Sequence, residues 1–487
     1  MWTTMADPIE LREDQTDLVT RVGLALKTHQ SVLAQAPTGF GKTVMAGRIA
    51  RGAEDKGKHV IFGCHRRELA IQTAKTFDRF GIRYSFIAAG MGYDPFAKVH
   101  IASANTLANR RHHLKADLLV ADEARLWASD IRSQLIVEAR GHGAKVVGLD
   151  ATPERLDGRS MRHLFDHMER GPSVEWLMEQ GHLSRYRLFT PVRPDFKGLH
   201  KRGGDFIVSE LEEKFDKPSI IGDAVKVYQQ RAMGLRTIAF AFSRKHGKHL
   251  ADTYRANGIH AVYIDGDTDP GERRSNIEAF ANHGGILVNV ELCIEGFDLS
   301  SQIGRDVPVE AVSLQRPTES MPRAKQMIGR ALRKKDMPAV IMDHVGIVAQ
   351  HGYPEDEYDW DLDGREARQA KESEKAIPTF RCGSCFYTAR SFFRACPDCK
   401  TETPMSDGRK VKQEEGELVE VDLEAARRAQ KAERSREQGM ARTLDDLAEL
   451  AVRRGYKSGW VSNMMKARGQ TPPPASAVIR AMERARA

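Results

Sequence analysis

The strongest constraint on this 487-residue chain is an apolar run, SVLAQ (31–35), that passes directly into APTGFGKT (36–43). A P-loop of this form needs a buried strand before it and a helix after it. It therefore commits the chain to an α/β fold. After Pro37 and Thr38, Gly39 and Gly41 let the backbone turn tightly, so that its N–H groups point at the phosphates of a nucleotide. Lys42 reaches the β/γ-phosphates, and the hydroxyl of Thr43 is placed to hold Mg²⁺. The helix that begins here adds its positive dipole end to the same anion site.

About 80 residues later comes DLLVADEAR (117–125), an apolar run that ends in two adjacent acids. It reads as a buried parallel strand whose carboxyl end carries charge, which is where ligands sit in a doubly wound sheet. Asp122 would hold Mg²⁺ through water, and Glu123 would orient or deprotonate the attacking water. Far downstream, AKQMIGRALRK (324–334) places Gln326, Arg330 and Arg333 at i, i+4 and i+7, one stripe of a helix. A P-loop ATPase needs arginine at the γ-phosphate, an effect worth roughly 10³–10⁵ in rate. The first 185 residues supply no obvious candidate. A second lobe that brings its arginines across a cleft would make hydrolysis depend on closure.

These segments resemble the superfamily 2 helicases of the DEAD/DEAH-box kind, specifically those often encoded by bacteriophages, over residues 9–350. LREDQ (11–15) resembles the adenine-side motif, with Arg12 and Gln15 as its carried-over residues. HRRELAIQ (65–72) and SANTLANR (103–110) resemble the two nucleic-acid-contacting motifs of the first lobe, and DATPERLDGR (150–159) resembles the coupling motif. IAFAFSR (238–244), NVELCIEGFDL (289–299) and QMIGRALR (326–333) resemble the three motifs of the second lobe. The resemblance implies two tandem RecA-like P-loop lobes with ATP and Mg²⁺ between them. It places Arg330 and Arg333 near the γ-phosphate, and Gly296 and Asp298 where nucleotide and strand meet. Arg66, Arg67, Thr106, Ser243 and Arg244 would then lie along the nucleic acid.

Two positions depart from that pattern. Arg125 stands where relatives carry the last residue of DEAH or DEAD, and Asp150 precedes Ala151-Thr152 where relatives carry Ser or Thr. The two positions face each other in the family and link nucleotide state to strand binding, with Thr152 in the same motif. A salt bridge between Arg125 and Asp150 is the expected substitute for the usual hydrogen bond. Drift that the enzyme tolerates, or that weakens its turnover, is the alternative.

Length suggests about three domains. The net charge of +8 suits a polyanionic partner. No apolar stretch approaches the roughly 18 residues of a membrane span, and the N-terminus lacks a charged-then-apolar signal pattern. The expected location is the cytoplasm of a bacterial or phage-infected cell, with nucleoid association.

Lobe 1 is expected over residues 1–185, with strands at 31–35, 60–64, 99–104, 118–122 and 146–150. An inter-lobe connection should occupy 186–217. Lobe 2 is expected over 218–350, with strands at 237–242, 261–266, 286–291 and 339–344. An acidic linker (351–379) leads to two C-x₂-C knuckles, Cys382/Cys385 and Cys396/Cys399, which fit a structural zinc ribbon over 380–404. Such a short segment cannot build its own core, so Zn²⁺ would hold it together. Phe386, Tyr387, Arg390, Phe392, Phe393 and Arg394 interleave aromatic and basic residues there. Two readings stand: a surface that stacks a single strand, or Phe392 and Phe393 as the module's scant core. A charged helix (405–439) and a small basic helical module (440–487) complete the chain. Leu444, Leu447, Leu450 and Ala451 form the apolar stripe of the last module.

The expected function is an ATP-dependent helicase or translocase on single-stranded or forked DNA, with RNA as the other candidate strand. A duplex translocase within a larger assembly and an ATP-gated clamp with little turnover are the alternatives.

Overall fold

The computed structural model describes residues 9–155, 158–190, 199–202, 205–216, 218–294, 297–356, 358–363, 380–402, 441, 443–454, 458–468 and 473–485. The chain divides into two units, Met1–Thr403 and Pro404–Ala487. The first unit holds two α/β lobes.

Lobe 1 carries seven strands: β1 (Ser31–Gln35), β2 (Val60–Cys64), β3 (Tyr84–Ile87), β4 (Val99–Ser103), β5 (Leu118–Asp122), β6 (Lys145–Asp150) and β7 (His167–Arg170). All pair in parallel in the order β3-β4-β2-β5-β6-β1-β7. Strands β1, β2 and β5 are buried at every residue. A parallel sheet covered by helices on both faces demands such continuous apolar runs, which is why these strands are plain in the sequence. The outermost strand β3 alternates half-buried and buried positions, and β7 on the other edge has no buried residue. Helices α1 (Glu13–Thr28), α2 (Lys42–Glu54), α3 (Arg67–Arg79), α4 (Ala104–Asn109), α5 (Asp130–Gly141) and α6 (Val174–Glu179) complete the lobe.

Lobe 2 begins earlier than the sequence suggests. Residues 186–189, expected in the connection, form β8 (Tyr186–Phe189), which pairs in parallel with a lobe 2 strand and buries Leu188 and Phe189. A short hairpin follows, β9 (Lys201–Arg202) and β10 (Asp205–Phe206), and then α7 (Val208–Phe215) and α8 (Pro218–Arg231). The remaining strands are β11 (Thr237–Phe240), β12 (Ala261–Ile264), β13 (Ile286–Asn289), β14 (Ala311–Leu314) and β15 (Ala339–Asp343). They alternate with α9 (Arg244–Ala256), α10 (Pro270–His283), α11 (Leu299–Ile303), α12 (Met321–Gly329) and α13 (Ile347–His351).

The cysteine-rich segment is part of this second sheet. Its strands β16 (Phe380–Arg381) and β17 (Tyr387–Ala389) extend the order to β12-β13-β11-β14-β15-β8-β17-β16, with β17 antiparallel to β8. Asp398, between the second pair of cysteines, is bound by Arg231 at 3.2 Å and also by Arg187. The segment therefore leans on lobe 2 and does not stand as a separate bead.

The expected acidic linker is, in its described part, packed against both lobes. Tyr353, Trp360 and Leu362 are buried. Residues 364–379 and the expected charged helix 405–439 lie outside the described residues. In the second unit, three helices, Leu444–Arg454, Ser458–Ala467 and Ala475–Arg484, bury Leu447, Leu450, Ala451, Val461, Val478 and Met482 in one cluster. Trp460 packs against it half-buried, and Tyr456 lies outside the described residues.

Candidate nucleotide site and nucleic-acid face

Because the strands of each large sheet, apart from β16 and β17, run in parallel, their carboxyl ends gather the loops of each lobe on one edge. In lobe 1 the loop after β1 turns through Gly39 (φ 87°) and Gly41 (φ 100°), conformations that favour glycine. A Cβ on Gly41 would also lie 2.6 Å from Nε2 of Gln15. Gln15 braces this loop: its Nε2 donates to the Phe40 carbonyl at 2.7 Å, while its Oε1 accepts the Arg12 backbone N–H at 3.1 Å. Arg12 donates to the same carbonyl at 3.2 Å and also lines the cleft, whereas both ends of the Gln15 amide are occupied. Pro37 faces a small cavity behind the loop, not the cleft. Lys42 opens α2, with its Nζ 3.5 Å from the Ala36 carbonyl.

Asp122 ends β5, and Glu123 follows with φ 50°, a left-handed conformation uncommon for a side chain of this size. Trp127 fixes this corner: its indole N–H donates to the Asp122 carbonyl at 2.9 Å, and its ring fills the space that a Cβ on Gly63 would need. Burial, then the neighbouring Glu123, pushes the Asp122 carboxyl up to about 7. Burial would raise Glu123 as well, but Arg125 and Lys42 overcome it and bring its carboxyl down to about 2. The two adjacent carboxyls are thus driven apart, Glu123 down and Asp122 up, a separation that suits two different roles.

Arg125 donates to Asp150 at 2.9 Å through its guanidinium and at 2.7 Å through its backbone N–H, and it also pairs with Glu123. The Thr152 backbone N–H donates to Asp150 at 2.9 Å. The ion pair expected from the two departures in sequence is present, and it extends to the candidate catalytic carboxylate.

Lobe 2 closes the cleft from the other side. Gln326 Nε2 reaches Glu123 at 3.4 Å, and a Cβ on Gly329 would lie 2.8 Å from Thr38. Arg330 donates to the carbonyls of Phe297 at 2.6 Å and Ile294 at 3.0 Å, and desolvation in this narrow space lowers its pKa to about 10. Arg333 pairs with Asp298 at 2.7 Å. Arg330, Arg333, Asp298 and Gln326 line, with Thr38, Gly39, Gly41, Lys42, Thr43, Asp122 and Glu123, one cleft of about 540 Å³. Gly296 lies outside the described residues. The cleft also takes in Leu69, Gln72, His182 and Lys334, which the sequence reading did not single out. Gln72 closes a quoted motif and Lys334 ends the arginine stripe, so both were within reach. No local pattern marks His182.

These residues fit a bound nucleoside triphosphate with Mg²⁺. A glycine-rich turn opens a 13-residue helix, with a lysine beside it and a buried carboxylate opposite.

The expected nucleic-acid residues occupy the same carboxyl edges. Strands β2 and β4 are neighbours, so Arg66 and Arg67 at the start of α3 lie beside Thr106 in α4. Strands β11 and β13 are likewise adjacent, which brings Ser243 and Arg244 beside the loop after β13. Ser243 caps α9 by accepting the His246 N–H at 3.1 Å, and Arg244 pairs with Asp265 at 3.5 Å and Asp267 at 2.5 Å.

The Sγ atoms of Cys382, Cys385, Cys396 and Cys399 all lie within 4.8 Å of one another. Cys382 to Cys399 is 3.7 Å and Cys385 to Cys396 is 3.5 Å, far beyond a disulfide bond of about 2.05 Å. Four thiolates about 2.3 Å from a tetrahedral Zn²⁺ would stand close to these distances. The interleaved aromatics divide. Phe393 packs on Tyr387 beside the cysteines, whereas Phe392 is 46% exposed against Phe380. Arg390 is taken up by Asp356 and the Tyr353 ring.

Two α/β lobes, with a P-loop and acids on one and arginines on the other, define a two-lobed P-loop ATPase. Residues 8–155 match the family model described as Type III restriction enzyme, res subunit, and residues 216–335 match the Helicase conserved C-terminal domain. A 51.5 kDa protein of a Lactococcus phage is 29% identical over 377 residues, covering 77% of this chain and 75% of its own. The putative ATP-dependent helicase IRC3 of Saccharomyces cerevisiae is 27% identical over 321 residues, covering 61% of this chain and 45% of its own. The chain thus spans about half the length of this yeast relative. Among solved structures, a fragment of a putative HsdR subunit of a type I restriction enzyme from Vibrio vulnificus shares the fold, with TM-score 0.54 at 20% identity over 72% of this chain and 68% of its own. The Type ISP restriction-modification enzyme LlaBIII bound to DNA matches with TM-score 0.51 at 14% identity, over 69% of this chain and 28% of that one. The chain belongs to the superfamily 2 helicases, the class of ATP-dependent nucleic-acid motors.

Proposed function

We propose that this chain is an ATP-driven motor that moves along DNA, gripping one strand across the carboxyl edges of both lobes. The observation that carries this reading is the cleft itself: Lys42, Asp122 and Glu123 of lobe 1 face Gln326, Arg330 and Arg333 of lobe 2.

Lys42 and the P-loop N–H groups bind the phosphates, and Thr43 with Asp122 would hold Mg²⁺. Held there, Mg²⁺ would neutralise charge that develops on the phosphates. Glu123, kept ionised, orients the attacking water and takes its proton. Arg330 and Arg333 meet the γ-phosphate once the contacts to the Phe297 carbonyl and Asp298 are exchanged. Four thiolates, from Cys382, Cys385, Cys396 and Cys399, would take Zn²⁺ as a structural ion. Contacts at Arg66, Arg67, Thr106, Ser243 and Arg244 to a phosphate backbone would be sequence-blind and weakened by salt. DNA is favoured over RNA because LlaBIII, which shares this fold, was solved on DNA. Action on single-stranded or forked DNA follows from the phage-helicase resemblance.

A second reading has support of its own. The matches to restriction-enzyme subunits favour duplex translocation without strand separation, within a larger assembly. A paired assay decides between them. Release of a labelled strand from forked DNA supports the helicase, while displacement of a triplex-forming third strand without fork opening supports duplex translocation. Neither activity, with ATP hydrolysis intact, would contradict both.

A further inference from the structure

After α13 the chain leaves lobe 2 and runs back to lobe 1. On the lobe 2 side it is fastened by Lys325, one residue before Gln326 in α12. Lys325 Nζ donates to the carbonyls of Tyr353 at 2.6 Å and Pro354 at 3.1 Å, and it stands 4.9 Å from the centre of the Tyr358 ring. On the lobe 1 side Leu362 is 4% exposed and sits in the same apolar cluster as Met161, Leu164 and Phe165. Its carbonyl accepts from the Met161 N–H and the Ser160 hydroxyl, both at 2.8 Å. Arg162 forks onto Asp363, and Arg170 pairs with Asp359 at 2.6 Å. Between these anchors Tyr358 and Trp360 line a small cavity with Thr38, Thr152 and Gly329. The segment therefore lies behind the seam where the P-loop, the coupling motif and the arginine helix meet.

We propose that residues 353–356 and 358–363 form a strap that ties the arginine helix of lobe 2 to lobe 1, with Lys325 as the positioning residue that fastens it. An apolar plug in one lobe and a half-buried lysine bonded to the strap in the other limit how far the cleft opens. ATP then meets a cleft already near its closed form, and nucleic acid has less ordering left to impose. Neither Lys325 nor Leu362 touches the cleft where ATP would bind. The strap thus acts on closure and not on the chemical step. The inference about ATP affinity rests on the ATPase reading above, whereas the tether itself does not.

The test inserts a site for a specific protease between Asp356 and Tyr358 and places a dye pair on the two lobes. The full chain is compared before and after cleavage in the same preparation, so folding precedes the cut. Cleavage should shift the inter-lobe distances to longer values and raise the KM for ATP about tenfold. The kcat at saturating single-stranded DNA should stay within about twofold, because nucleic acid then supplies the closure. Lys325→Met should reproduce the same split in the uncut chain. Unchanged distances after cleavage would overturn the tether, and a kcat that falls by as large a factor as KM rises would overturn its action on closure alone. A preparation with no ATPase before cleavage would contradict the motor reading instead, and the distances alone would then judge the strap.

Discussion

Arg125 and Asp150 form a buried ion pair, 2.9 Å apart, that ties the end of β5 to the end of β6. Asp150 is fully enclosed and Arg125 is 6% exposed. The same guanidinium pairs with Glu123, so one cation serves two carboxylates at the base of the cleft. Removing the guanidinium would take the cation from both.

Arg125→His should lower stability by about 3–5 kcal/mol, the usual cost of a buried charge that loses its partner, and Asp150→Thr should cost less, because Arg125 keeps Glu123. The double variant should recover at least about 1 kcal/mol of the summed loss, since both charges leave together. Chemical denaturation of the four proteins measures this cycle, and ATPase rates run the same cycle for function. Strictly additive losses would mean that the pair couples nothing.

Gly329→Ala tests how closely the lobes must meet. Alanine inside a helix is normally favourable by about 0.5–1 kcal/mol. Here its Cβ would lie 2.8 Å from Thr38 of the other lobe. Thermal stability should therefore hold or rise, while kcat for ATP falls by at least about tenfold because closure is blocked. Unchanged turnover would show that this seam is not part of the hydrolysing state.

Arg330→Ala and Arg333→Ala should each reduce kcat by about 10³-fold with a smaller change in ATP binding. Arg330 now bonds two backbone carbonyls, and Arg333 bonds Asp298. Asp298→Asn releases Arg333 alone, so it should cost much less than either arginine. Single-turnover kinetics separate these effects from binding.

Metal analysis of the purified protein should find about one Zn²⁺ per chain, and Cys396→Ser should lose it. Because β17 pairs with β8 and Asp398 is held by Arg231, the loss should also lower the melting temperature of lobe 2. Metal-free protein with an unchanged melting curve would contradict a structural ion.

Much of the fold was legible in the chain because buried parallel strands leave continuous apolar runs. β1, β2 and β5 stand where LLVAD-like segments put them. The strands that escaped notice have physical reasons. β3 and β7 are edge strands with half-buried or exposed positions, β8 is a four-residue strand with two half-buried residues, and β14 carries a buried Ser313 in a short run. At the site, Lys42, Glu123, Gln326 and Arg330, drawn from separate motifs, line one cleft. Spacing could not reveal that Gln15 braces the P-loop, or that Arg125 reaches Glu123 as well as Asp150. Nor could it show that an acidic stretch plugs Leu362 into the first lobe, because a lone leucine among aspartates carries no periodic signal.

The most direct test of the central claim is steady-state ATPase of the purified protein without nucleic acid, with single-stranded DNA, with duplex DNA and with single-stranded RNA, beside Glu123→Gln. Turnover strongly stimulated by DNA and abolished in Glu123→Gln is the expected result. ATP binding without turnover under every condition would contradict it, and would leave a nucleotide-gated clamp in which Arg125 holds Glu123 out of use.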